Sequence, residues 1–359
     1  MSGGVDSSVT AYLLKQNNYD CTGATMRLFL NGDIGLESER PCCSLKDVED
    51  AQAICNKLNI NHEVIYYMLE FKEFVIDKFI AAYKAGGTPN PCIDCNKYLK
   101  FQAMLKHALN NNFNYIATGH YARIIFDENS GRFLLKRALD LSRDQSYVLY
   151  MLTQTQLEHT LFPLGNLTKA KVRAIAEQNN FVNARKRDSQ DICFVPDKKY
   201  AKFIENYTGT KSPPGKFILK ETGEVLGEHK GIINYTIGQR KGLNIASSSP
   251  LYVTEIDIIN NNIILSHNER ELFIKKILVN NINLIAYKEL NEPIHAAAKI
   301  RYRQNEAKAI ITQVDQDNLL IEFDEAQRAP AIGQAAVIYD LQDSSLVIGG
   351  GTIYKILKN

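Results

Sequence analysis

The chain has 359 residues, 45% hydrophobic and 23% charged, with 42 Lys and Arg against 40 Asp and Glu for a formal net charge of +2. These are the proportions of a soluble globular protein of two or three domains. No apolar run is long enough to span a bilayer and no charged-then-apolar leader is present, so a cytoplasmic location is expected. Seven cysteines, an odd number in a leaderless chain, argue against a structural disulfide framework, and near-neutrality leaves any nucleic-acid binding to local basic faces such as Arg185-Lys186-Arg187, Arg240-Lys241 and Arg301 with Arg303.

Met1-Ser2-Gly3-Gly4-Val5-Asp6-Ser7 reads as a Gly-rich turn opening into a helix that carries Val9, Ala11 and Leu13 and ends near Asn17-Asn18. Paired glycines let the backbone approach an oxyanion closely. Ser2, Ser7 and the unpaired N–H groups of the helix start supply donors at the positive end of a dipole. The Lys-Ser/Thr of a Walker A loop is missing. The stretch resembles instead the SGGxDS loop of N-type ATP pyrophosphatases, which split ATP into AMP and pyrophosphate while adenylating a carbonyl oxygen. Such a loop ordinarily hangs from a buried parallel strand of about five residues, and Met1 stands where that strand should have finished, so an incomplete start is expected.

Thr22 to Leu30 then reads as a strand, Ser44 can cap a helix carrying Val48, Ala51, Ile54 and Leu58, and Glu63 to Tyr67 is strand-like. A helix around Phe71 to Tyr83 precedes the Gly-Gly-Thr-Pro-Asn-Pro loop at 86–91; another runs through Phe101, Met104, Leu105 and Leu109 to Asn111, before the short strand Tyr115-Ile116-Ala117. This alternation predicts an α/β fold, a doubly wound parallel sheet with ligands at its strand carboxyl ends, where the opening loop, Met26 and Gly119-His120 fall. A mainly helical stretch, including Lys169 to Gln178, continues to about Tyr207.

Lys211-Ser212-Pro213-Pro214-Gly215 marks a boundary, after which short strands are separated by Gly and Asn. Asn260-Asn261 signals a hairpin, and the alternating runs 296–302, 307–314, 319–323, 335–339 and 346–354 suggest a small antiparallel barrel. The expected organisation is a catalytic domain over 1–207, a small β-rich domain over 208–268 and a C-terminal β-barrel over 269–359.

Cys21 and Cys55 fall in apolar segments and read as buried small hydrophobes. Cys92-Ile93-Asp94-Cys95 sits in a Pro-rich loop just before a helix, where the dipole can lower a thiol pKa, and Cys193 follows the basic 185–187 cluster. A lone Cys-x-x-Cys is compatible with a redox pair, half a zinc site or part of an iron–sulfur site. Adjacent Cys42-Cys43 are poorly suited to complete a zinc tetrahedron.

Several ordered blocks carry a wider likeness: 1–7, Gly23-Ala24-Thr25-Met26, Thr88-Pro89-Asn90-Pro91 with Cys95-Asn96-Lys97, 117–122, Arg143-Asp144-Gln145-Ser146-Tyr147, Asp188-Ser189 with Ile192-Cys193-Phe194, 236–242 and Arg301-Tyr302-Arg303. Together they resemble the bacterial and mitochondrial tRNA 2-thiouridylases, the MnmA family, over nearly the whole chain. That resemblance implies ATP-dependent adenylation of the O2 of a wobble uridine, with magnesium, followed by persulfide attack at C2. The expected partners are tRNAs with Lys, Glu or Gln anticodons and a persulfide-carrying protein or cysteine desulfurase.

Carried over by position, Ser2, Gly3, Gly4, Val5, Asp6 and Ser7 hold the phosphates, Asp6 assisting through magnesium, and Met26 and Gly119 face the adenosine. Cys193 carries the persulfide and Cys95 is the nucleophile that completes transfer, most simply through a transient Cys95–Cys193 disulfide. Asn90, Pro91 and Cys92 meet the flipped-out base, and His120, Arg143, Asp144, Gln145, Arg301, Tyr302 and Gln334 meet tRNA. Cys92 stands where many members of the family place Asp. That substitution creates the Cys-x-x-Cys and keeps an iron–sulfur thiolase built on Cys92, Cys95 and Cys193 as an alternative. A second alternative is an ATP-dependent amidotransferase or ligase sharing the opening loop.

Overall fold

A computed structural model describes residues 1–29, 45–188, 191–195 and 198–357. The expected Ser44 cap and Cys42-Cys43 lie outside them. The chain divides into two compact units, one of Met1–Val75, Cys92–Lys198 and Ser345–Val347, the other of Ile76–Pro91, Lys199–Ser344 and Ile348–Asn359.

In the first unit Gly4, with extended backbone, caps helix α1 (Val5–Gln16), which leads to strand β1 (Thr22–Arg27), helix α2 (Leu45–Leu58) and strand β2 (Asn61–Tyr66). Strands β1 and β2 pair in parallel from Thr22↔Asn61 to Arg27↔Tyr66. A second parallel pair joins β3 (Ile116–Ala117) to β6 (Thr160–Leu161). Met1 lies along β1, its ammonium donating to the Ala24 carbonyl and its own carbonyl accepting from Thr25 Oγ1 at 2.7 Å.

Between these pairs the chain is helical: α3 (Met68–Phe71) runs into a π-helical turn, Lys72–Asp77, and then α4 (Lys78–Lys84), which belongs to the second unit; α5 (Pro91–Asp94) runs into the π-helical Cys95–Ala103 and α6 (Met104–Asn110). The stretch expected to be mainly helical after Phe126 contains instead an antiparallel hairpin, β4 (Ala122–Asp127) and β5 (Arg132–Arg137). Its turn is local chemistry: Asp127 Oδ2 accepts from the backbone and hydroxyl of Ser130, and Gly131 takes φ +64°. Helices α7 (Gln154–Glu158) and α8 (Lys169–Gln178) follow, each capped by a threonine side chain, Thr153 and Thr168. Val5 and Val9 of α1, Ile54 of α2, and Val172 and Ala176 of α8 close into one buried cluster with Tyr121, Leu164 and Phe181. Each large aliphatic side chain so covered contributes about 1.5–3 kcal/mol, so α1 is fixed with the loop that precedes it.

The second unit holds α9 (Tyr200–Thr208) and a four-stranded sheet of order β8-β7-β10-β9, built from β7 (Gly215–Leu219), β8 (Val225–His229), β9 (Tyr252–Asp257) and β10 (Asn262–Ser266). The hairpin expected at Asn260-Asn261 joins β9 to β10, with Asn261 at φ 52°. Beyond it lies a closed barrel of order β11-β14-β13-β12-β15-β16, comprising β11 (Phe273–Leu284), β12 (Ile294–Lys299), β13 (Ala307–Gln313), β14 (Leu319–Arg328), β15 (Ala335–Tyr339) and β16 (Val347–Leu357). Ile277, Val279, Ile311, Leu319, Ile321 and Ile338 are buried in one cluster and come from four of these strands, β11, β13, β14 and β15. Strand β11 was not read from the sequence. Lys275-Lys276 and Asn280-Asn281 interrupt its apolar alternation, although Ile274, Ile277 and Val279 are buried.

Candidate active site

The opening loop is held from both sides. Within it Ser2 donates through its backbone and its hydroxyl to Ser7 Oγ at 3.1 and 3.2 Å, and Ser7 and Ser8 hydroxyls both donate to the Gly4 carbonyl at 3.0 Å. Gly3 takes φ +68°, and a Cβ there would lie 2.4 Å from the Asp47 carbonyl, so only glycine fits. Its own carbonyl accepts from Asn183 Nδ2 and Lys186 Nζ, each at 3.0 Å. Lys186 also reaches Asp47 and Asp50 at 2.6 Å; burial presses its pKa down, but the two carboxylates outweigh this and hold it above the ordinary lysine value. Gly119 completes the seat: a Cβ there would meet the Asp6 carbonyl carbon at 2.9 Å and the Ser7 nitrogen at 3.0 Å. Met26 lies near the carboxyl end of β1, half-buried.

Asp6, in the first turn of α1, is bound by an ion network that spacing did not announce. Lys169 Nζ donates to both Asp6 oxygens at 2.8 Å, and the Tyr121 hydroxyl donates to Oδ1 at 2.8 Å. The same ammonium reaches Asp188 Oδ1 at 2.8 Å, where Arg173 arrives at 2.9 Å, while Arg143 reaches Oδ2 at 3.0 Å. Burial raises the Asp188 carboxyl pKa, yet Lys169, Arg173 and Arg143 more than reverse this and hold it below the usual carboxylate range. Burial first and Asp6 second push the Tyr121 phenol far up, so it remains a donor.

The two cysteines assigned to sulfur chemistry lie in this same unit, on segments packed against one helical stretch. Phe194, next to Cys193, meets Phe71 edge-on at 5.5 Å; Tyr98, one turn beyond Cys95, stacks on Phe74 at 4.9 Å. Phe71 also touches Phe29 at 5.6 Å, just past the end of β1. Cys193 is half-buried in a turn closed by Val195 N donating to the Ile192 carbonyl. Cys95 is buried, and burial pushes its thiol pKa up, beyond what nearby Lys100 takes off. This corrects the expectation of a dipole-activated Cys95. The helix starts at Pro91, so Cys95 lies a turn inside it and out of water, and desolvation outweighs the dipole. Both sulfurs are thiols in this structure, and Cys92 is exposed. Among the described residues no group of three or more His, Cys, Asp and Glu side chains is placed to hold a metal ion.

Sequence profiles of three domains match in order: a tRNA methyl transferase HUP domain over residues 1–197, a tRNA methyl transferase PRC-barrel domain over 201–267, and an aminomethyltransferase β-barrel domain over 274–353. The tRNA-specific 2-thiouridylase MnmA of Clostridioides difficile is 48% identical over 357 residues, 99% of this chain and 97% of its own. That of Acetivibrio thermocellus is 46% identical over 98% of this chain and 97% of its own. The chain belongs to the MnmA family. MnmA 1 of a Thermoanaerobacter species, 48% identical over 98% of this chain and 96% of its own, agrees.

Several positions expected to meet tRNA serve the fold of this MnmA-family chain. The His120 ring is buried between Phe101 and Phe162, at 5.7 and 5.9 Å, with Nδ1 sharing a 2.7 Å hydrogen bond with Thr118; burial drives its pKa far down, so it is neutral and covered. Asp144 accepts from Ala138 and Ser146, and Gln145 Oε1 accepts from the Tyr121 N–H at 2.9 Å, which steadies the segment carrying Arg143. In the second unit Arg301 Nη2 donates to the carbonyls of Ala329 at 2.7 Å and Ile237 at 3.3 Å. Tyr302 beside it is exposed, with Lys299 5.9 Å above its ring. Gln334 Nε2 donates to the Thr88 carbonyl at 2.5 Å while Thr88 N donates to Ile332, so the barrel clamps the loop that leads to Asn90 and Pro91.

Lys169, Arg173, Asn183 and Lys186 were missed as site residues. One signal was available for the first: lysine at the first position of α8 opposes the helix dipole, a placement a purely structural residue avoids.

Proposed function

We propose that this chain thiolates the wobble uridine of tRNA at C2, using ATP and a persulfide. The uracil O2 attacks the α-phosphorus of ATP and pyrophosphate leaves. The terminal sulfur of a Cys193 persulfide then attacks C2, and AMP departs with the former O2. The Cys95 thiolate attacks Cys193 Sγ, the S–S electron pair passes to the sulfur on C2, and 2-thiouridine is released with a Cys95–Cys193 disulfide that two reducing equivalents reset.

The observation that carries this reading is the convergence in one unit of a rigid phosphate loop, an acid fixed at its helix start, and two cysteine segments leaning on one helix. Gly3, Gly4, Ser2 and Ser7 suit oxyanion binding because the loop is short of side chains and rich in donors. Asp6 suits a magnesium ion that arrives with the triphosphate, since magnesium binds through one or two carboxylates plus substrate phosphates rather than a protein cage; it would neutralise charge on the leaving pyrophosphate. Tyr121 and Lys169 keep the Asp6 carboxylate aimed. Burial of Cys95 keeps that thiol protonated until tRNA engages, which spares the persulfide from premature attack. Exposed Tyr302 is suited to stack on an unpaired base.

A sulfur-carrier protein or desulfurase, tRNAs with Lys, Glu or Gln anticodons, and a cytoplasmic setting belong to this proposal. Among the described residues no helix is long and apolar enough to cross a membrane. The test is Cys193→Ser with unmodified tRNA, ATP, magnesium and a protein persulfide. The variant should still release pyrophosphate and form no 2-thiouridine; normal thiolation would overturn the role of Cys193.

A further inference from the structure

Lys169 is only 7% exposed and sits at the amino end of α8, where the helix dipole disfavours a cation. Its ammonium has three donors, and all are used: two to Asp6 and one to Asp188. The two carboxylates are not equally dependent on it. Asp188 retains Arg173 and Arg143 if the lysine withdraws, whereas Asp6, among the described residues, keeps the neutral Tyr121 hydroxyl alone as a side-chain partner. Asp6 stands in the first turn behind the phosphate loop, and Asp188 stands five residues before Cys193.

We propose that Lys169 is a positioning residue that couples filling of the phosphate loop to the placement of the Cys193 segment, through one ammonium shared by Asp6 and Asp188. This rests on the thiolation reading above. A triphosphate brought to the start of α1 places negative charge beside the ammonium and offers Asp6 the nucleotide's own cation. The lysine then turns toward the phosphates, and Asp188 is left with its two arginines. Nucleotide binding thus loosens one of three anchors on the chain leading to the sulfur-bearing thiol, so that Cys193 is released for transfer when ATP is in place.

The experiment follows alkylation of Cys193 by iodoacetamide, read by peptide mass spectrometry on the full chain with and without saturating ATP and magnesium. Saturation is set for each variant by equilibrium dialysis with labelled ATP. In the wild type ATP should accelerate Cys193 alkylation about five-fold or more, the lower range of a site-to-site coupling. In Lys169→Met the ratio should fall to about one. Asp188→Asn leaves the Lys169–Asp6 pair in place. It should bind ATP and also show a ratio near one, so the test survives if Lys169→Met folds or binds poorly. A wild-type ratio of one, a slowing by ATP, or a wild-type ratio kept in Asp188→Asn would each overturn the coupling. 2-Thiouridine formation by the wild type, measured on the same samples, reports separately on the thiolation reading.

Discussion

Gly119→Ala places one methyl group against the phosphate loop. The glycine has no positive φ, so alanine meets no backbone penalty and the effect is purely one of contact. The new Cβ would lie 2.9 Å from the Asp6 carbonyl carbon, 3.0 Å from Asp6 Cβ and 3.0 Å from Ser7 N. An ordinary carbon contact needs about 3.5 Å, so the start of α1 must retreat by roughly half an ångström. Two of the three atoms are backbone, and α1 is wedged by Val5 and Val9 in the buried cluster, so relaxation is confined. Overpacking of this kind costs about 1–3 kcal/mol of stability. Displacement of a phosphate-binding backbone costs activity as well, toward 100-fold for a shift of about 1 Å and on the order of ten-fold for half that. Steady-state pyrophosphate release with tRNA present, together with thermal unfolding, measures both. Gly131→Ala is the control: it has φ +64° and, among the described residues, nothing within 4 Å of the added Cβ, so it should lose about 1 kcal/mol through backbone strain and keep its rate. Equal rates for wild type and Gly119→Ala would refute the claim that Gly119 seats the phosphate loop.

Three other outcomes are expected. Between pH 7 and 9, Cys95 should alkylate at least about ten-fold more slowly than exposed Cys92, because burial raises its pKa and covers its sulfur; guanidinium should erase the gap, and equal rates in the native chain would contradict the burial. Lys186→Met leaves Asp47 and Asp50 without their shared cation and the Gly3 carbonyl with one donor fewer. The melting temperature should fall by the equivalent of about 1–3 kcal/mol, and an unchanged value would remove Lys186 from the account. Asp188 has a depressed folded-state pKa, so its contribution is fully present above the unfolded value of about 4 and is lost as pH falls through the folded one. Asp188→Asn should therefore flatten the stability profile below about pH 4; an acid limb as steep as that of the wild type counts against the network.

The phosphate loop was legible because its parts are contiguous: Ser2 to Ser7 and the start of α1 are a local motif whose geometry follows from two glycines and a helix end. The groups that hold it were not. Asn183 and Lys186 reach Gly3 across about 180 residues, and Lys169 reaches Asp6 across 163. Such contacts exist only once α8 packs on α1. Burial was the other blind spot. His120 occupies a motif that looks like a contact loop, yet the fold buries it between two phenylalanines, and Cys95 looks like a helix-start thiol although Pro91 opens the helix a turn earlier. The barrel strands with regular alternation were readable; β11, with paired lysines and asparagines in its run, became a strand because β14 and β16 flank it.

The most direct measurement is nucleoside mass spectrometry of unmodified tRNA incubated with the pure full-length chain, ATP, magnesium and a protein persulfide. The expected result is 2-thiouridine at the wobble position, one AMP for each sulfur inserted, and none without ATP. Sulfur insertion independent of ATP, or ATP cleavage that leaves the tRNA uridine unchanged under these conditions, would contradict the account.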